Sequence, residues 1–164
     1  MTTPPVLRQL RHDVWATDRL IERCRALTDA ELDLATPGTY GTIRRMLTHI
    51  VRADEGYLLR LGILSDPRIE ETDATTLDEI AGHLGRVRDG VERLFAQKDF
   101  DPDRRFHSRD VELEPWILMT QFSHHGSDHR SQVCTTLSTH GLEVPDLDVW
   151  AYGDAEGVIV PDAR

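Results

Sequence analysis

The sequence predicts an all-α protein, a four-helix bundle with a short extra helical or loop tail. Three observations support this. Four segments of roughly 20 residues repeat apolar side chains at helical spacing, so each would have one apolar face. Each segment begins with a proline or threonine that suits a helix start. The chain has 164 residues, enough for one domain with its own core. Four amphipathic helices of this length are typical of a bundle, so we expect a single domain over residues 1–164.

The first helix is predicted over residues 5–28, with Pro4 and Pro5 at its start. His12 falls beside its apolar face, and we therefore expect His12 at the surface. The apolar positions are Leu7, Leu10, Val14, Ile21, Cys24 and Leu27. A second, short helical start is predicted at residues 28–31, and Pro and Gly in residues 37–41 predict a turn.

The second long helix is predicted from about Thr42, a plausible N-cap, to Gly62, a typical helix stop. Its apolar face is formed by Ile43, Met46, Leu47, Ile50, Tyr57 and Leu61. His49 lies at the edge of that face, where it could reach a neighbouring helix. Asp54 lies within the face, and an inward Asp is rarely left unpaired. Asp54 therefore either binds an Arg or a cap, or serves a polar site.

Residues 63–75 are predicted to be a connecting loop, and the third long helix then spans residues 76–97. Thr76 and Glu79 have the spacing of a capping box, which marks a helix start. His83 on this helix has no partner motif, and we interpret it as solvated or structural. The segment 100–114 that follows could form either a small hairpin or an irregular loop.

The fourth long helix is predicted over residues 115–140, from Pro115 at its first position to a stop at Gly141. After it, the aromatic residues within 145–152 are expected to fold back onto the bundle.

His125 and His129 on the fourth helix are four residues apart, so both imidazoles lie on one face. That face also carries Leu118, Phe122, Val133 and Leu137, and the pair should therefore point inward. His124 is turned about 100° away, toward the polar side. Buried imidazoles need partners. The spacing alone leaves two interpretations open: chelation of a metal ion, or two core histidines bonded to the backbone or to each other.

Composition excludes several function classes. The net charge of −10 without a basic cluster argues against nucleic acid binding. We find no run of 18 apolar residues and no signal-type start, so we expect neither a membrane partner nor export. Cys24 and Cys134 lie at apolar positions and are too few for a disulfide framework or a Cys-based zinc site. A reducing, cytoplasmic location fits.

Three stretches resemble the DinB-like family of metal-binding helical bundles, of the YfiT type. Residues 15–20, Trp-Ala-Thr-Asp-Arg-Leu, are similar to the first-helix signature. Residues 49–58 resemble its second-helix pattern of His-Ile followed by Ala-Glu and an aromatic. Residues 125–132 resemble its motif His-x-x-x-His-Arg-Gly-Gln. Asp54, Tyr57 and Ser131 depart from the usual residues without removing a ligand.

The resemblance implies that His49, His125 and His129 together bind one divalent ion. Zn²⁺, Ni²⁺ and Fe²⁺ all accept imidazole, so the identity of the metal stays open. A metal-binding His usually donates its other ring N–H to an acceptor, and Asp54, Gln121 and Gln132 are our candidates for this role.

The resemblance further implies a metal-dependent enzyme acting on a small-molecule substrate, of the thiol-dependent transferase, isomerase or hydrolase type. A low-molecular-weight thiol such as mycothiol would then be a second cofactor, in line with an Arg-for-Lys bias typical of GC-rich bacteria. The alternative is a non-catalytic metal-binding or stress-related protein that acts through contacts in a homodimer. An open polar pocket above the histidines favours the enzyme, and a site sealed by apolar side chains favours the alternative.

Overall fold

Four long helices form the bundle in the computed structural model, which describes residues 3–160. They are α1 (Pro5–Cys24), α3 (Ile43–Arg60), α4 (Leu77–Ala96) and α5 (Pro115–Thr139). Two short helices, α2 (Asp29–Leu32) and α6 (Val149–Ala155), and a hairpin of β1 (Phe106–Ser108) and β2 (Val111–Leu113) complete the described chain. The predicted helical-bundle fold is thus confirmed.

The long helices are arranged in the order α1, α4, α3, α5 around a ring. Both α1 and α3 pack against α4 and α5. The chain therefore crosses the bundle twice, once between α1 and α3 and once between α4 and α5. The core is built from large apolar side chains that are almost fully buried, among them Leu10, Leu20, Ile21, Met46, Leu47, Ile50, Ile80, Leu84, Leu94 and Leu137. This topology makes α3 and α5 neighbours, although they are distant in sequence.

Local capping explains most helix starts. The side chains of Thr42 and Thr76 accept hydrogen bonds from the backbone three residues on, at Arg45 and Glu79, as the sequence predicted. The carboxylate of Glu79 accepts the Thr76 N–H in return, at 2.7 Å. These bonds satisfy donors that helix ends otherwise leave without a partner. The predicted bounds of the second and third long helices therefore agree with the structure to within two residues.

The prediction that the first helix extends to residue 28 is wrong. It ends at Cys24, because Thr28 instead caps α2 and adopts an extended backbone, with φ −73° and ψ 162°. Its capping box with Glu31, whose carboxylate accepts the Thr28 N–H at 2.7 Å, competes with helix continuation. Of the two options for residues 100–114, the structure has the hairpin. Arg109 at its turn has φ 58°, a value that tight hairpin turns require.

The tail only partly follows its prediction. The ring of Tyr152 packs against Trp15 at 5.3 Å between centroids, but Trp150 keeps 73% of its surface exposed. His12 is half-buried rather than at the surface, because its Nε2 lies 2.9 Å from the backbone oxygen of Leu147. None of the described helices is both long and apolar enough to cross a membrane.

Candidate metal centre

Three histidines converge where α3 packs against α5. His49 projects from the second turn of α3, and His125 and His129 project from adjacent turns of α5. One ring nitrogen from each lies within 4.8 Å of the other two. The Nε2 atoms of His49 and His125 are 3.1 Å apart, and the ring centroids of His125 and His129 are 4.5 Å apart. The structure thus brings together all three site residues that the sequence analysis selected.

The spacing suits a shared ion. Two nitrogens bound to one tetrahedral ion at roughly 2.0–2.1 Å would lie about 3.3 Å apart, close to the 3.1 Å between the His49 and His125 Nε2 atoms. A single N–H···N hydrogen bond would also fit that pair. It would leave His129 without a partner, however, and the Nδ1 atoms of His125 and His129 are buried with no hydrogen-bond partner in the described chain.

Burial lowers the pKa of His125 and of His129. Burial first, and then the neighbouring rings of His129 and His49, lower the pKa of His125 to about 4. Burial, followed by the charge that His49 can carry, also lowers the pKa of His129, which is only 8% exposed. At neutral pH both rings therefore retain a lone pair, as a metal ligand must.

Glu71, in the loop between α3 and α4, lies behind His49. One carboxylate oxygen, Oε2, accepts a hydrogen bond from His49 Nδ1 at 3.1 Å. The other, Oε1, accepts from the Tyr40 hydroxyl at 3.0 Å and from Arg45 Nε at 3.1 Å. Burial would raise the pKa of Glu71, but the hydrogen bonds from His49, Tyr40 and Arg45 outweigh it and hold that pKa below its usual range.

Tyr40 covers one side of the histidine cluster. Its ring stacks on His49 with 4.0 Å between centroids and meets the His129 ring edge-on at 5.2 Å. Its backbone N–H donates to Gln132 Oε1 on α5 at 2.8 Å. His49 nevertheless keeps 23% of its side chain exposed. The cluster is therefore partly covered by an aromatic ring and still reachable from solvent.

The predicted outer partners of the histidines differ from those in the structure. Asp54 is 2% exposed, and its charged neighbours are Arg130, Asp13 and Glu55, not the histidines. Gln121 is exposed and lies near the Tyr57 hydroxyl. Gln132 does contribute, by holding Tyr40. Both Glu71 and Tyr40 were missed, since they lie in a loop and a turn where no periodicity marks a site.

A buried ionic network lies next to the histidines on α5. Arg130, 5% exposed, donates to Asp13 Oδ1 at 2.5 Å and to Thr17 Oγ1 at 3.2 Å. The Ser123 hydroxyl donates to the second Asp13 oxygen, Oδ2, at 2.5 Å. This network joins α1 to α5 and fixes the helix that carries His125 and His129.

Comparisons with known proteins agree with the fold. The sequence matches the model of the DinB family over residues 1–162. The structure is similar to a DinB-like protein from Bacillus cereus, with a TM-score of 0.64 and 24% sequence identity, covering 84% of this chain and 94% of that one. A comparison with curated proteins gave no match.

Proposed function

This chain belongs to the DinB family, and from that premise we propose that it binds one divalent metal ion and uses it to act on a small molecule. The ligands in this proposal are His49, His125 and His129. The observation that carries it is the convergence of three imidazoles, from two different helices, to within 4.8 Å. The 3.1 Å between the Nε2 atoms of His49 and His125 also suits two ligands of one ion.

The residues around the cluster suit this role. Glu71 accepts the His49 Nδ1–H, the kind of bond that orients a metal-binding His. Tyr40 keeps water from one face of the His49 ring. When bound, a divalent ion with three protein ligands supplies Lewis-acid chemistry at a free coordination position. Zn²⁺, Ni²⁺ and Fe²⁺ are all compatible with the three imidazoles.

The reaction we propose is a transfer, isomerisation or hydrolysis that uses a low-molecular-weight thiol such as mycothiol. Thiolates are good ligands for these ions, and the exposed fraction of His49 leaves a path from solvent. A small-molecule substrate fits better than a nucleic acid, because the net charge of −10 repels phosphates.

A second candidate function is a non-catalytic metal-binding protein that acts through a homodimer. Two observations favour it. Tyr40 partly covers the cluster, and the tail exposes the apolar side chains Val149, Trp150, Val158 and Val160. Exposed apolar patches often mark protein contacts.

The first test is metal-dependent stability. A ligand that binds only the folded state at a hundredfold excess over Kd adds about 2.7 kcal/mol. Chelator should therefore lower the melting temperature of the wild type but not of His129→Ala. The matched control is His124→Ala, an exposed histidine on the same helix, which should respond like the wild type. Equal chelator effects in all three proteins would contradict the site.

Access to the site separates the two functions. With Co²⁺ in place of the native ion, adding a small thiol, azide or imidazole should change the visible spectrum of an open site. His49→Ala should lose both the metal and this response. If the wild type holds Co²⁺ and none of the three additions changes its spectrum, the site is closed and the non-catalytic function is favoured.

A further inference from the structure

Glu71 connects three segments around one proposed metal ligand. Its carboxylate accepts hydrogen bonds from His49 on α3, from the hydroxyl of Tyr40 in the turn before α3, and from Arg45. Tyr40 is in turn bonded through its backbone to Gln132 on α5. A chain of contacts therefore runs from the helix of His49 through Glu71 to the helix of His125 and His129.

The backbone next to Glu71 is held in place independently of the histidines. Glu55, fully buried, accepts the Ile69 N–H at 2.8 Å, and the Arg52 guanidinium donates to the Ile69 carbonyl. On the other side, the buried Arg44 donates to the Thr75 carbonyl at 3.2 Å. The loop is thus tied to α3 on both sides of Glu71, and the carboxylate reaches His49 from a fixed position.

The contact determines which nitrogen of His49 carries the proton. An ionised carboxylate only accepts hydrogen bonds. The His49 Nδ1, 3.1 Å from Glu71 Oε2, is therefore the protonated nitrogen of the neutral ring. The lone pair then belongs to Nε2, the atom that lies 3.1 Å from His125 Nε2 in the cluster. Without this acceptor, His49 could place its proton on the nitrogen that faces the other histidines.

We propose that Glu71 is the positioning residue of this site: it holds His49 with Nε2 facing the cluster and keeps the Tyr40 ring over it. This inference rests on the proposed metal site and adds to it a residue that sets metal affinity. It also identifies the loop between α3 and α4 as part of the functional unit, since the loop presents Glu71.

A simpler interpretation is that Glu71 only neutralises Arg45. The Arg45 side chain is 53% exposed, and exposed ion pairs contribute little. On that interpretation, Arg45→Gln and a Glu71 substitution would have equal effects. On ours, Arg45→Gln changes the metal Kd by less than about fivefold, because it leaves the bond between Glu71 and His49 in place.

The test uses Glu71→Met, which keeps the side-chain length and removes both acceptors. Its matched control is Glu70→Met, at the exposed neighbouring position. The Kd for Zn²⁺, measured by competition with a chromophoric chelator, should rise about 10- to 100-fold in Glu71→Met, the usual cost of losing an outer partner. Glu70→Met should match the wild type. Glu71→Gln retains one acceptor oxygen and should lie in between.

A second readout does not require metal. Ring ¹⁵N shifts in the metal-free protein, recorded above the usual histidine pKa of about 6.5, should show a protonated Nδ1 at His49. Glu71→Met should lose that preference, while Glu70→Met and Arg45→Gln should keep it. A merely structural role for Glu71 would change the stability of the protein but not the proton position on His49.

The outcomes separate the two proposals. A wild type that binds no Zn²⁺ overturns the proposed function, and the ring shifts of the metal-free protein then decide the role of Glu71. If Nδ1 of His49 stays protonated in Glu71→Met, the positioning role is wrong. An unchanged Zn²⁺ affinity in a folded Glu71→Met also overturns it.

Discussion

His129 and Arg130 are neighbours on α5, and both are buried, with 8% and 5% of their surface exposed. Their surroundings are opposite. The Arg130 guanidinium donates to the carboxylate and backbone of Asp13 and to Thr17. The Nδ1 of His129 has no partner in the part of the chain that the structure describes. Arg130 thus has hydrogen-bond partners within the described chain, whereas His129 has a buried ring nitrogen without one.

The difference shows which of the two buried polar residues is explained by the fold itself. A buried polar group with all its partners present is explained by the fold, because leaving it unpaired would cost about 1–3 kcal/mol. The histidine cluster lacks such an explanation, since the polypeptide does not supply partners for all its nitrogens. In our proposal, a divalent cation binds ring nitrogens that face one another, such as Nε2 of His49 and of His125. Arg130 therefore holds α1 against α5, whereas metal binding is the role that we propose for His129.

The largest expected effect comes from breaking the satisfied network. Arg130→Met should destabilise the metal-free protein by about 3–5 kcal/mol, because it leaves the buried Asp13 carboxylate without its counter-charge. Urea unfolding with chelator present measures this. His129→Ala under the same conditions should lose less, since no described hydrogen bond to Nδ1 is broken. Equal losses in the two variants would remove the distinction.

Asp54 lies near Arg130 and Asp13, and a substitution there tests whether it belongs to their ionic network. Burial raises its pKa well above the usual range, against the opposing attraction of Arg130. The folded state then keeps a proton that the unfolded state releases above about pH 4, so the unfolding free energy falls as pH rises from there. Asp54→Asn should remove this decline and raise stability at pH 7 by about 1 kcal/mol. Urea unfolding from pH 4.5 to about 8, compared with the wild type, checks the sign.

The opposite result for Asp54→Asn is equally informative. A loss of stability that grows with pH would mean that Asp54 is held ionised by Arg130. It would then be part of the ionic network.

The smallest expected effect concerns an exposed ion pair. Arg11 and Glu92 meet at 2.6 Å, close to the 2.5 Å of the buried Arg130–Asp13 pair, but their side chains are 41% and 48% exposed. Glu92→Gln should cost only about 0.2–1 kcal/mol, and less at high salt, because water screens the charges. Urea unfolding at two salt concentrations measures it. A cost near that of Arg130→Met would show that burial does not determine the value of these pairs.

Features determined by local chemistry were predictable from the sequence. Thr42 and Thr76 mark helix starts through bonds to residues three positions on, and the spacing of His125 and His129 places both on one face of α5. The error at the end of the first helix is also local. Thr28 served as a cap for the next element rather than as part of the helix before it.

Tertiary contacts were not predictable in this way. His49 was predicted as a metal ligand only from a family resemblance, because its position in the sequence indicated only the edge of an apolar face. Glu71 contacts His49 across 22 residues and Tyr40 across 31. No periodic pattern links these positions, and the loop holds other acidic residues, such as Glu70, that look equivalent in sequence. Only the packing of that loop against α3 distinguishes them.

The crossing topology has a consequence for the order of events during biosynthesis. His49 and His125 are 76 residues apart, and chains are made at roughly 5–20 residues per second. The ribosome therefore adds His125 about 4–15 seconds after His49. During that interval α3 carries a lone imidazole, which holds a divalent ion far more weakly than three do. The metal binding that we propose for these three residues would thus await the synthesis and docking of α5, which would make it a late step in maturation.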